Sequence, residues 1–234
     1  MTIEFKKRGG KRPGAGRPPK GSRSSERHKT RPFHNRRYPV HVTIRVAHDI
    51  GYLRRRDTWL AVREAAIMTT KRFDFRIVHM SVQADHIHLI IEAENKVALA
   101  KGMQGFQGSA AKHINAAITK RTGKRRRGAV FPDRYHARVL RTPREVHSTI
   151  NYVLNNWRHH GEDLSDRAAT WMIDPYSTGI SFWGWKELVG SPSMFRAPSS
   201  YMAILTWIPK TWLLRYSWEK YPPISAYSIP GRRA

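Results

Sequence analysis

The feature that most limits how this chain can fold is a repeated change in the spacing of its apolar residues between positions 40 and 160. Val40, Val42, Ile44 and Val46 alternate with His41, Thr43 and Arg45, the two-residue period of a half-buried strand. Asp57 fits a helix N-cap, and TWLAVREAAIMTTKRF after it has helical character. FRIVHMSV (75–82) and HIHLIIEA (86–93) read as two strands joined by the short turn Gln83-Ala84-Asp85. Asn95 can cap a second helix, on which Leu99, Met103, Phe106, Ala110, Ile114 and Ala117 recur at helical spacing. RYHARVLR (134–141) reads as a fourth strand, and a last helix runs from Pro143 to His160. The order β-α-β-β-α-β-α predicts an α+β domain of the split βαβ kind, an antiparallel sheet with helices on one face.

The flanking sequence is of a different kind. Residues 1–37 are Gly, Pro, Ser, Lys and Arg with almost nothing apolar, too little to bury a core, and are expected to be a disordered basic arm. Within it, residues 11–20 (KRPGAGRPPK) centre on Gly16-Arg17-Pro18, which resembles an AT-hook with Arg17 in a narrow minor groove. A flexible arm that binds phosphate without preference has the same composition. Residues 162–234 form a C-terminal extension rich in tryptophan and proline, whose rings either pack over the core or stack on bases.

Charge narrows the partner. Lys and Arg number 43 against 17 acidic residues, a net +26, and the excess comes in blocks such as GKRRRG (123–128). That points to a polyanion, with Arg17, Lys124, Arg125, Arg126 and Arg127 as the expected DNA contacts. The absence of cysteine removes thiol catalysis, disulfides and thiolate zinc sites. No stretch reaches the roughly 18 apolar residues of a membrane span, and the N-terminus lacks the apolar core of a secretory signal. A cytoplasmic, nucleoid-associated bacterial protein with no membrane partner is the expected class. GxxxxGK[ST] is absent, so no nucleotide cofactor is expected.

The chemistry gathers in two places. On a strand His86 and His88 project together while Ile87, Leu89 and Ile91 turn the other way. Two imidazoles on one face can share a divalent ion, although polar residues on a solvated strand have the same pattern. On the last helix, Thr142-Pro143-Arg144-Glu145 has the form of a capping box with proline at the first helical position. Val146, Ile150, Val153, Leu154 and Trp157 make one apolar stripe. Tyr152 lies off that stripe with Asn156 one turn beyond it, where a packing tyrosine does not belong. A hydrogen-bonding surface tyrosine is the plain alternative. Together these parts suit phosphoryl transfer, with Tyr152 as nucleophile, an ion on His86 and His88, and Asn156 as a third ligand.

His86-Ile87-His88 matches the histidine–hydrophobic–histidine motif of the single-tyrosine HUH transposases. Tyr152-Val153-Leu154-Asn155-Asn156 and Arg134-Tyr135-His136 resemble the tyrosine helix and preceding segment of the REP-associated tyrosine transposases. The likeness covers residues 38–161, expected to be the catalytic domain. Many members carry proline after the Asn-Asn pair, where Trp157 stands here. The resemblance implies a ferredoxin-like fold, a Mg²⁺ or Mn²⁺ ion, and cleavage of single-stranded DNA beside a hairpin. It also implies a 5′-phosphotyrosine at Tyr152, a free 3′-hydroxyl, His86, His88 and Asn156 as metal ligands, and a monomer or homodimer. His159 is a reserve ligand. Two rival readings share these features: a domesticated DNA-binding protein that no longer cuts, and a metal-dependent nuclease that uses water.

Overall fold

The computed structural model describes residues 34–165, 168–188, 202 and 204–231. The expected AT-hook and Arg17 lie outside the described residues. Seven elements follow in the expected order: β1 (Val40–Arg45), α1 (Arg56–Thr69), β2 (Phe75–Val82), β3 (His86–Ala93), α2 (Lys96–Thr122), β4 (His136–Val139) and α3 (Pro143–His159). A short helix, α4 (Trp212–Arg215), follows in the extension. The four strands form one antiparallel sheet in the order β2-β3-β1-β4. Each helix crossover therefore skips one strand, which defines the split βαβ topology.

Local chemistry sets several boundaries as expected. Asn95 accepts hydrogen bonds from the Val97 and Ala98 amides at the start of α2, and Thr142 and Glu145 form a complete capping box on α3. Gly123 ends α2 with a left-handed φ of 68°, a conformation that costs glycine little. Gly102 is required for another reason. A Cβ there would fall 2.1 Å from the Phe75 ring, so a side chain would push α2 off the sheet. Asp57 is not the N-cap. Helix α1 begins at Arg56 after an uncapped Arg55, and Asp57 in its first turn pairs instead with Arg121 of α2. β4 is shorter than its apolar pattern, covering only the residues that pair with β1.

Helices α1 and α2 cover one face, packing on Val40, Val42, Ile44, Ile87, Leu89 and Ile91. Helix α3 departs from the expected arrangement by covering the opposite face. Its stripe of Val146, Ile150, Val153 and Leu154 shares a second core with Val78, Ile90, Trp185, Leu214, Trp218 and Ile224. Ile90 points away from Ile87, Leu89 and Ile91, so β3 has an apolar residue on both faces and both require cover. An irregularity in β2 between Ile77 and His79 brings Val78 into the second core. The extension thus completes a layer. Trp185 and Trp218 are buried in it, whereas Trp183 and Trp212 stay exposed.

Candidate active site

The second face carries the polar cluster at its free end. Antiparallel register sets Thr43 opposite both His88 and His136, and Arg45 opposite His86. Alternation then gathers His41 and Thr43 of β1 with His86 and His88 of β3 on the face covered by α3. His86 Nε2 and His88 Nε2 are 3.0 Å apart. The outer nitrogens are already engaged: His86 Nδ1 lies 2.6 Å from Asp85 Oδ1, and His88 Nδ1 lies 3.1 Å from both His41 Nε2 and Thr43 Oγ1. With an N–H on each Nδ1, directed at these partners, both Nε2 lone pairs are left free, 3.0 Å apart.

Electrostatics favour the neutral forms of His88 and His41. Burial, then the neighbouring His86, His41 and His160, hold His88 well below its ordinary value. Burial, helped by His136 and Arg138, brings His41 down to about 4. Burial raises the Asp85 carboxyl, but its hydrogen bond to His86 and the charges of His86 and Arg45 outweigh this and keep it low. Asp85 is therefore an anion at neutral pH, fixing the orientation of His86 as outer-sphere carboxylates do for metal-bound imidazoles.

Tyr152 packs against this group from α3. Its ring stands edge-on to His88 at 5.2 Å and to His41 at 5.9 Å. Burial pushes its phenol above the usual value, so the free hydroxyl is protonated at neutral pH. One turn further, Asn156 is 0% exposed, and both its amide oxygen and nitrogen lack a hydrogen-bond partner. Leaving such a group unpaired costs about 1–3 kcal/mol.

These donors fit a divalent ion. Two ligands at about 2.1 Å in adjacent octahedral positions stand about 3.0 Å apart, the separation of the two Nε2 atoms. Among the described residues, no group of three or more His, Cys, Asp or Glu side chains is arranged to hold a metal. A donor of another type is present one turn beyond Tyr152, in the orphaned amide of Asn156.

Three site residues have only a weak mark in the sequence. His41 and Thr43 sit on the polar side of β1, which alternation alone reads as solvated. His160, just past α3, brings its ring to 5.1 Å from His86. His159, the reserve ligand, instead places Nδ1 3.0 Å from the Pro230 carbonyl. Helical spacing favoured His159. The helix ends there, and His160 departs from that spacing in its cap conformation.

The tyrosine opens into a cleft of about 770 Å³ lined by His136, Arg138, Arg144, His147, Asn151 and Tyr152 among others. The GKRRRG loop lies near the same end of the sheet, since Val46 bonds to Asp85 and Ala47 to Val130. Lys124, Arg125 and Arg127 are exposed. Arg126 is committed internally, with Nη2 2.8 Å from Asp49 Oδ2 and Nη1 2.9 Å from Asn115 Oδ1.

A sequence profile described as "Transposase IS200 like" matches residues 36–156, just over half the chain. No curated protein matches. Among solved structures, a REP-associated tyrosine transposase bound to a REP hairpin aligns at 14% identity and a TM-score of 0.46, covering 79% of this chain and 100% of that one. A bacterial tRNA(His) guanylyltransferase-like protein in complex with GTP aligns at 18% identity and 0.41, covering 58% and 71%. Identities this low carry no chemistry from one chain to another. Among the described residues, no helix is long and apolar enough to cross a membrane.

Proposed function

Because this chain belongs to the family of IS200-like transposases, we propose that it cuts and rejoins single-stranded DNA beside a hairpin through a covalent bond to Tyr152. The observation that carries this reading is the approach of two imidazole nitrogens, of His86 and His88, to 3.0 Å, with His88 edge-on to the ring of the only tyrosine on α3.

Divalent Mg²⁺ or Mn²⁺, held by His86, His88 and Asn156, would polarise the scissile phosphate and draw negative charge off it. The chain's own residues do the rest. Asp85, His41 and Thr43 keep the two imidazoles in the tautomer that leaves Nε2 free. Tyr152 Oη attacks phosphorus and gives up its proton to water as the P–O bond forms, because its raised pKa leaves little phenolate beforehand. The O3′ leaves on the opposite side and takes a proton, giving a 5′-phosphotyrosine and a free 3′-hydroxyl. Attack by a 3′-hydroxyl on the same phosphorus reverses the step and releases Tyr152, so bond energy is conserved and no nucleotide is consumed. Arg138 and Arg144 in the cleft are suited to neighbouring phosphates. The likeness of Tyr152–Asn156 and Arg134–His136 to the REP-associated branch supports palindromic repeats as the hairpin source.

The test is a denaturing gel of labelled single-stranded hairpin DNA incubated with protein and Mn²⁺. Wild type should give a slow-migrating covalent band that Tyr152→Phe lacks. Cleavage without any adduct, retained in Tyr152→Phe, would replace this reading with hydrolysis by water.

A further inference from the structure

At the end of the sheet away from His86, a second cleft of about 600 Å³ opens between the entry to β1, the turn from β4 into α3, and the start of α4. Arg36, Arg37, Arg141, Lys210 and Trp212 line it. Acidic groups nearby are already matched. Arg76 is paired with buried Glu92 at 3.1 Å and with Glu94 at 2.9 Å, and Glu92 also accepts from the Lys210 and Thr211 amides. The guanidiniums of Arg36, Arg37 and Arg141, by contrast, have no ion-pair or hydrogen-bond partner among the described residues. Beside them, Trp212 is 55% exposed, with Lys220 Nζ 5.2 Å from its ring centre.

Unpaired cations around one cleft repel each other, and an exposed indole gains nothing from water. A ligand with phosphates and an unstacked ring relieves both. The basic arm of residues 1–33 is a poor occupant, since it is itself strongly cationic. A duplex keeps its base faces stacked inside. The two clefts also meet at one turn: Arg141 and Pro143 line this one, while Thr142 and Arg144 line the tyrosine cleft. Tyr152 is nine residues along α3 from Pro143, about 14 Å at the helical rise, so one short strand can reach both.

We infer that this cleft is a second single-stranded DNA site, holding the flank of the strand that leads away from Tyr152. Phosphates lie on Arg36, Arg37 and Arg141, and a base lies against Trp212. The identity of the strand rests on the proposed cutting reaction; the binding chemistry does not.

The test measures binding by fluorescence polarisation at several salt concentrations, using the full chain carrying Tyr152→Phe so that nothing is cut. The probes are labelled oligothymidylate and a duplex of equal length. Trp212→Ala should weaken oligothymidylate binding about tenfold with the duplex unaffected, and Trp212→Phe should recover most of the loss. Replacing Arg36, Arg37 and Arg141 with Ala should lower the single-strand salt slope by about two. Replacing Arg56, Lys101 and Lys112 on the α1 and α2 side, with the same change in net charge, should lower it by less. Unchanged oligothymidylate affinity in Trp212→Ala, or equal slopes for the two triple variants, would overturn the site. Separately, Tyr152-intact protein that forms no adduct while the Trp212 effect persists would reject the cutting reaction and leave this site standing.

Discussion

The two faces of the sheet are built from alternate residues of the same strands, yet they differ in character. Toward α1 and α2 the strands present Val40, Val42, Ile44, Ile87, Leu89 and Ile91, all apolar and almost wholly buried. Toward α3 they present His41, Thr43, His86 and His88 at one end and Val78 and Ile90 further along. The first face gains from every side chain it buries, at about 25 cal/mol per Å² of apolar surface. The second buries imidazoles and an unpaired amide, which oppose folding unless something satisfies them. The first face is thus apolar throughout, whereas the second divides between an apolar core and the polar cluster, the two faces separated by the thickness of a single strand.

Neighbouring substitutions on β3 test that division most sharply. His88→Ala should reduce Mn²⁺ affinity by about a hundredfold or more, read by titration calorimetry or by the electron-spin signal of free Mn²⁺, with urea stability little changed. Leu89→Ala, one residue on and facing the other way, should lose about 2–5 kcal/mol of stability in urea unfolding. Its Mn²⁺ affinity per folded molecule should stay at the wild-type level. If Leu89→Ala instead abolished Mn²⁺ binding without destabilising the fold, the two faces would not be independent.

A smaller effect should separate function from stability at one residue. Asn156→Leu removes an amide that is buried without partners, so the metal-free protein should gain about 1 kcal/mol while Mn²⁺ binding weakens. A loss of stability would mean that the amide is satisfied in solution.

A further effect is expected from acid. Burial lowers His79, on the second face beside Phe182 and Thr178, to about 4. The unfolded chain takes up this proton near 6.5, the folded chain only near 4. More protons are then bound in the unfolded state across that window, so stability falls as pH drops through it and is flat in this respect above it. Melting temperature measured between pH 7 and 4.5 should decline less steeply in His79→Leu than in wild type. Parallel curves would show that His79 is not the group responsible.

Much of this was legible locally. The β2 and β3 strands begin and end where their patterns do, and Asn95 and Thr142 cap the helices they were expected to cap. The shared face of His86 and His88 follows from a two-residue period, and the displacement of Tyr152 from its stripe follows from a 3.6-residue one. Asp57 misled because a residue suited to an N-cap also suits the first turn, where the helix dipole and Arg121 hold it.

The sequence by itself determined which side chains share a strand or helix face, because that depends on backbone geometry a few residues either way. Only the tertiary structure decided which faces meet. It set α3 against the histidine face, because β2 and β3 are apolar on both sides and α1 and α2 can cover only one. It brought His41 and Thr43 to His88 through register, drew His160 rather than His159 to His86, and spent Arg126 on Asp49 and Asn115. It also buried Trp185 and Trp218 while leaving Trp212 at a cationic cleft. Each of these depends on burial and pairing summed over residues far apart in the chain, which no local period records.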